Sequence, residues 1–373
     1  MTPGDSVPLV HVVTHKGRGY EPAEDDPVKF HQPGSPLADA PGAPTYSQVF
    51  ARTVTRLMRE DETVVGISAA MLEGTGLAEV RQEFPARVFD VGIAEQHAVS
   101  MAAGMASRGL NPFVSIYSTF LQRAFDQVIH DVCLQNLPVT LIADRAGIVG
   151  EDGKTHHGAF DISYLRCLPN AVVAAPMDEN DLQHLLYTGY RHRGPFAIRI
   201  ARGAAAGVAV DGELAELPLG KGRVVMEGSD AVIFGLGKAA RASVEAAKLL
   251  AGHGVSCGVV NPLFVKPLDV DLLAEAARGA GRIVTVEENV LAGGFGSAVL
   301  EALAGAGLDE VAVHRIGMPD SFIEHGSAAD QRRRLQLDAE GIARQVLDAF
   351  FPEAEKPGRL KLLFKRKPER GRG

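Results

Sequence analysis

An acid set between a short apolar run and an Ala/Met-rich segment is the first candidate for chemistry in this sequence. The stretch Asp90-Val91-Gly92-Ile93-Ala94-Glu95-Gln96-His97 follows Val88-Phe89 and leads into a segment that reaches Arg108-Gly109. It reads as a buried strand, a tight turn and a helix that begins near Ala94. The Glu95 carboxylate then sits in the first helical turn. The helix N-terminus favours its charged form and desolvation its protonated form. A carboxyl in that balance can hold or release a proton near neutral pH, as a general acid needs. On position alone the same residue also reads as a helix-start acid with a solvated head.

Further candidates follow other expected strands. Phe120 comes just after the strand ending at Tyr117, where open α/β sheets place ligands, and an aromatic ring there can stack on a planar heterocycle. Arg123 lies one turn on, and Arg202 ends the strand Phe196–Ile200. Two guanidiniums converging at that edge suit a phosphate. Asp152 and His156 occupy a long Gly-rich loop, and a loop histidine can exchange a proton with a substrate oxygen. Cys133, Cys167 and Cys257 are far apart and show no ligand-type spacing, so they read as reduced thiols.

The elements that must position these residues alternate. Thr45-Tyr46-Ser47-Gln48 is a capping box opening a helix with Phe50, Val54 and Leu57 on one face. Apolar runs at Thr63–Ile67, Arg87–Val91, Pro112–Tyr117, Val139–Ala143, Ala171–Ala175 and Phe196–Ile200 read as parallel strands with helices between them. Residues 204–219 read as a linker. The alternation resumes at Ala231–Phe234, Val255–Val260, Ile283–Val286 and Val311–Ile316. The fold class is α/β, with two consecutive open, mainly parallel-sheet domains at 44–203 and 220–352. Residues 1–43, with one strand at Leu9–Thr14, read as the remnant of a preceding domain plus linker, and 353–373 as a basic disordered tail.

With 373 residues, 46% hydrophobic and 23% charged, the chain suits two or three full-sized cores. A formal net charge of −8 argues against a general nucleic-acid binder, and no apolar run is long enough for a membrane span, so a cytoplasmic protein is expected.

Three ordered runs carry a resemblance: Asp90 to His97, Ser115 to Ala124, and Asp144 to His156. Together they resemble the pyrimidine-binding domain of the 1-deoxy-D-xylulose-5-phosphate synthase family, transketolase-like thiamine diphosphate enzymes. The resemblance extends from about residue 9 to about residue 350. It implies that Glu95 faces N1′ of the cofactor's aminopyrimidine and activates it by sharing a proton. It also implies cofactor contacts for Tyr20, Ile93 and Phe120, and contacts with glyceraldehyde 3-phosphate for Tyr117, Arg123, Asp152, His156 and Arg202. His31, in Lys29-Phe30-His31, falls to the pyruvate carboxylate, and Glu95, His156 and His31 form the expected catalytic set.

In that family Mg²⁺ and the cofactor diphosphate bind a Gly-Asp-Gly…Asn motif on an N-terminal domain. Here Glu151-Asp152-Gly153 with Asn170 has the wrong first residue and a short spacing, and Asp211-Gly212 has no suitable asparagine. No metal ligand is therefore assigned on this chain, which is expected to be inactive alone. A homodimer, or a complex with an N-terminal half, is the expected assembly. Two other readings remain open: the small subunit of a split transketolase or 2-oxo acid dehydrogenase, and a non-catalytic subunit that regulates a full-length synthase.

Overall fold

The structure, a computed structural model, describes residues 9–27 and 42–354 and divides into two units, Met1–Gly42 and Ala43–Gly373. In the first unit the described residues hold one short helix, Glu21–Asp25, preceded by the exposed Tyr20. The expected strand Leu9–Thr14 is absent, and Leu9, Val10, Val12 and Val13 are all at least 70% exposed. A strand needs a neighbour to take its N–H and C=O groups, and none of the described residues supplies one. Lys29, Phe30, His31 and the basic run beyond Ala354 lie outside the described residues.

The second unit carries two sheets. In chain order the strands are β1 (Val64–Ser68), β2 (Val88–Asp90), β3 (Asn111–Tyr117), β4 (Thr140–Ala146), β5 (Val172–Ala174), β6 (Phe196–Ala201), β7 (Arg223–Met226), β8 (Ala231–Gly235), β9 (Cys257–Asn261), β10 (Phe264–Lys266), β11 (Arg282–Val290) and β12 (Ala312–Met318). The larger sheet runs β10-β5-β6-β4-β3-β1-β2 and the smaller β12-β11-β8-β9-β7. All pairings are parallel except β10 with β5 and β7 with β9, which close one edge of each sheet. The sequence reading missed both antiparallel strands. Each is three or four residues long, and β10 lies in the second half of the chain yet pairs in the first sheet.

Alternation along the strands explains why helices cover both faces. Val114 and Ile116 of β3 join a cluster with Ala98, Val99 and Ala102 of the helix Glu95–Ser107. Phe113 faces the opposite way, toward Phe50, Val54 and Leu57 of the helix Tyr46–Glu60. That second helix opens with the expected capping box: the Thr45 hydroxyl accepts from Gln48 N, and Gln48 Oε1 accepts from Thr45 N. Residues 204–219 lack regular structure but are pinned to the helix Glu179–Arg191. Glu179 accepts from Ala206 N and Val208 N, and His184 Nδ1 accepts from Ala215 N.

Parallel pairing puts the carboxyl ends of β1, β2, β3, β4 and β6 on one edge. The register aligns Ser68 with Asp90, Tyr117 with Asp144 and Ala146 with Ala201. Every candidate side chain of the second unit except Ile93 and Glu95 leaves from the ends of β3, β4 or β6, and those two follow β2. Among the described residues no helix is long and apolar enough to cross a membrane.

Candidate functional site

At the end of β2, Asp90 Oδ1 accepts from Ala70 N and Gly92 N and pins a turn in which Gly92 has φ +70°. The helix starts at Glu95 itself, with no side-chain cap. Glu95 is only 3% exposed. Its Oε2 accepts from Arg123 Nη1 at 2.9 Å, and among the described residues no donor reaches Oε1. Two residues earlier, Ile93 leaves its apolar side chain 77% exposed.

A second cluster builds on β3 and β4. The Tyr117 ring stacks on Phe120 at 5.8 Å, and His156 meets Phe120 edge-on at 5.4 Å. The Arg145 guanidinium lies over Tyr117, 4.1 Å from the ring centroid, and donates to Asp152 Oδ2 at 3.0 Å. Arg202 Nη1 donates to Val149 O and stands 3.5 Å from Asp152 Oδ2 and 3.4 Å from Glu151 Oε2. Behind this cluster Asp144 is fully buried, accepting from Arg145 N, and burial pushes its carboxyl up to about 7. Burial also pushes the Tyr117 hydroxyl up to about 12, so it stays a neutral donor.

The structure thus gathers Tyr117, Phe120, Asp152, His156 and Arg202 around Arg145. It does not bring Arg123 and Arg202 to a common partner, because each is held by a different carboxylate: Glu95 for Arg123, and the Glu151/Asp152 pair for Arg202. Arg145 was not singled out in the sequence. Its signal was its place at the carboxyl end of an expected parallel strand, where it takes φ +54°.

Tyr117 depends on a glycine. A Cβ at Gly74 would collide with the Tyr117 hydroxyl, and the ring cannot swing aside because Phe120 and Arg145 flank it. Gly74→Ala is expected to cost ~1–3 kcal/mol, read as a fall in thermal midpoint together with a changed near-ultraviolet tyrosine signal.

The arrangement fits the pyrimidine end of thiamine diphosphate. A buried carboxylate with one unclaimed oxygen, an apolar side chain left in water beside it and an aromatic wall on the same sheet edge are what a planar, protonatable ring requires. For the diphosphate end, no group of three or more His, Cys, Asp or Glu side chains able to hold a cation occurs among the described residues.

The same two sheets match known protein families. Residues 42–207 match the family model of the transketolase pyrimidine-binding domain, and residues 220–342 that of the transketolase C-terminal domain. Over 361 residues the chain is 51% identical to the 1-deoxy-D-xylulose-5-phosphate synthase of Pelotomaculum thermopropionicum, which covers 95% of this chain and 56% of that protein. Over 370 residues it is 53% identical to the synthase of Heliobacterium modesticaldum, covering 96% and 57%. The chain therefore spans about half the length of the curated relatives it matches. Among solved structures, a split gene transketolase described as an inactive beta4 tetramer superposes with TM-score 0.74 at 29% identity, over 83% of this chain and 99% of that one. A Pichia stipitis transketolase shares the fold at TM-score 0.65 and 19% identity, over 85% of this chain and 47% of that one. The chain belongs to the transketolase family, whose members use thiamine diphosphate and Mg²⁺, and it corresponds there to the C-terminal part of the 1-deoxy-D-xylulose-5-phosphate synthases.

Proposed function

We propose that this chain supplies the pyrimidine-binding and C-terminal domains of a 1-deoxy-D-xylulose-5-phosphate synthase. The complete enzyme decarboxylates pyruvate and joins the remaining two carbons to glyceraldehyde 3-phosphate, opening the non-mevalonate isoprenoid route and feeding thiamine synthesis. The observation that carries this reading is Glu95, buried at the first position of a helix on the ligand edge of the sheet. Identity above 50% to synthases, against 29% to the split transketolase, favours this reading over a transketolase or a 2-oxo acid dehydrogenase.

Thiamine diphosphate, when bound, supplies the nucleophilic carbon that the protein lacks. Glu95 Oε1 holds the proton shared with the pyrimidine ring, and Arg123 keeps Oε2 oriented. Ile93 and Phe120 offer apolar and aromatic surface to that ring. The Arg123 side chain is 52% exposed, so its remaining N–H donors can take the acceptor phosphate without releasing Glu95. Arg202 adds a second cation on the same edge, and Tyr117, Asp152 and His156 present hydrogen-bonding groups to the acceptor's carbonyl and hydroxyls. Tyr20 and His31 belong to the first unit, and their roles as cofactor contact and pyruvate-facing histidine rest on the family resemblance alone.

A diphosphate needs a divalent cation and oriented donors. This reading assigns both to a region that carries the family's Gly-Asp-Gly…Asn motif, on this polypeptide or another. The enzyme acts in the cytoplasm as a homodimer or as a complex that includes that region. The split gene transketolase described as inactive covers the same stretch of fold as this chain, in keeping with that reading. In the test, the 373-residue chain is mixed with Mg²⁺, thiamine diphosphate, pyruvate and glyceraldehyde 3-phosphate, with and without the N-terminal portion of a close relative. No product is expected from the chain alone, and CO₂ with 1-deoxy-D-xylulose 5-phosphate from the pair. Full turnover without the added portion, or transfer only from a sugar-phosphate donor, overturns the proposal.

A further inference from the structure

The loop that carries Asp152 and His156 is held from the other sheet's side of the molecule. We infer that Gln331, on the short helix Ala328–Arg334, is a positioning residue for this loop and thereby for the phosphorylated acceptor; the acceptor part rests on the function proposed above. Gln331 is 3% exposed, and its Nε2 donates to Gly150 O at 3.2 Å and to Glu324 O at 2.7 Å. One amide thus ties the turn Gly150–Asp152 to the segment just before its own helix. The contact is close on both sides. A Cβ at Gly150, where φ is +81°, would stand 3.2 Å from Ala328 N, and one at Gly153, where φ is +75°, would stand 3.2 Å from His325 Cβ.

The neighbouring residue adds a second thread. Arg332 holds Glu288 through two hydrogen bonds, and Glu288 Oε2 accepts from Ile148 N at the start of the same loop. Lys154 adds an exposed ion pair to Glu324 at 2.7 Å. Two consecutive residues of one helix therefore fix the loop at Ile148 and at Gly150. From Gly150 the chain runs two residues to Asp152, whose carboxylate meets Arg145 and Arg202, and six to His156, which rests on Phe120. Gln331 acts through the loop backbone, at Gly150 O, and not on a reacting group. What the contacts at Ile148 and Gly150 set is where Asp152 and His156 stand.

The test uses Gln331→Met, which keeps the length and burial of the side chain and removes its donor, and Gln331→Leu, which is one heavy atom smaller and also has no group to donate to Gly150 O. Hydrogen exchange on the 373-residue chain is expected to quicken about ten-fold at Gly153 N and His156 N, which donate to Gly150 O and Gly153 O, with β4 unchanged. In the complete enzyme the KM for glyceraldehyde 3-phosphate is expected to rise about ten-fold in both variants, with the KM for pyruvate unchanged. Unchanged exchange in the loop, or equal acceleration throughout the smaller sheet, overturns the inference. Faster loop exchange with an unchanged acceptor KM overturns its acceptor part. Absence of synthase activity in the unmutated complete enzyme counts against the proposed function, while the exchange measurement still decides the role of Gln331.

Discussion

Glu95→Gln is expected to lower turnover of the complete synthase by roughly 10²–10⁴-fold, the range for loss of a proton-transferring side chain. The substitution keeps the size of the side chain at the first helical position, so packing against the sheet is retained. It removes the proton-exchanging oxygen and the charge that pairs with Arg123. The second loss is small in stability terms, because the Arg123 side chain is half exposed and water replaces its partner at a cost of ~1 kcal/mol or less. The variant should therefore fold, and its affinity for thiamine diphosphate, measured by calorimetry, should change far less than its rate. Deuterium exchange at the cofactor C2 position, followed by NMR without substrate, isolates the role further: it should slow with the same substitution and far less with Arg123→Ala, which removes only the group that orients Oε2. A Gln variant that turns over at the unmutated rate would leave Glu95 with no role beyond orienting Arg123.

How much of this was legible beforehand varies by residue. The strand–turn–helix around Glu95 was readable because an apolar run, a glycine able to take φ +70° and an Ala-rich helical stretch all point to the same local structure. The capping box at Thr45 was legible for a similar local reason. β10 was not, because its identity as a strand comes from pairing with β5, about ninety residues earlier in the chain, and its three residues carry no periodicity of their own. Within the site, residue types gave the participants but not their pairings. Two arginines near one sheet edge suggested a shared phosphate, whereas the fold gives each its own carboxylate before any ligand arrives. Arg145 and Gln331 act through contacts seven and 181 residues away in sequence, so neither spacing nor periodicity could announce them.

The long-range pairings also predict where the molecule is weakest to change. Glu288 lies on β11 and is 7% exposed, yet it bridges to Arg332 at 2.5 Å and accepts from Ile148 N at 3.0 Å in the loop after β4. Burial alone would raise its pKa. The charge and hydrogen bonds of Arg332, then Ile148 N–H and Lys238, outweigh that and bring the carboxyl down to about 2 from 4.5. At about 1.4 kcal/mol per pKa unit, the depressed pKa corresponds to ~3 kcal/mol of folding free energy at neutral pH. Because the folded pKa is depressed, this contribution is fully present above about 4.5 and is lost as pH falls toward about 2. Glu288→Gln keeps the volume but turns an amide toward Arg332 and leaves that guanidinium without its counter-charge, a loss in the ~3–5 kcal/mol range for a broken buried pair. At pH 7 the thermal midpoint should drop by roughly 4–7 °C. The difference between the two proteins should narrow steadily as pH is lowered from 4.5 to 2.5, since the unmutated carboxyl is then losing the same interaction by protonation. A gap that stays constant across that window would mean the substitution acts through packing, and that the clasp between β11 and the Asp152 loop is held by shape instead of charge.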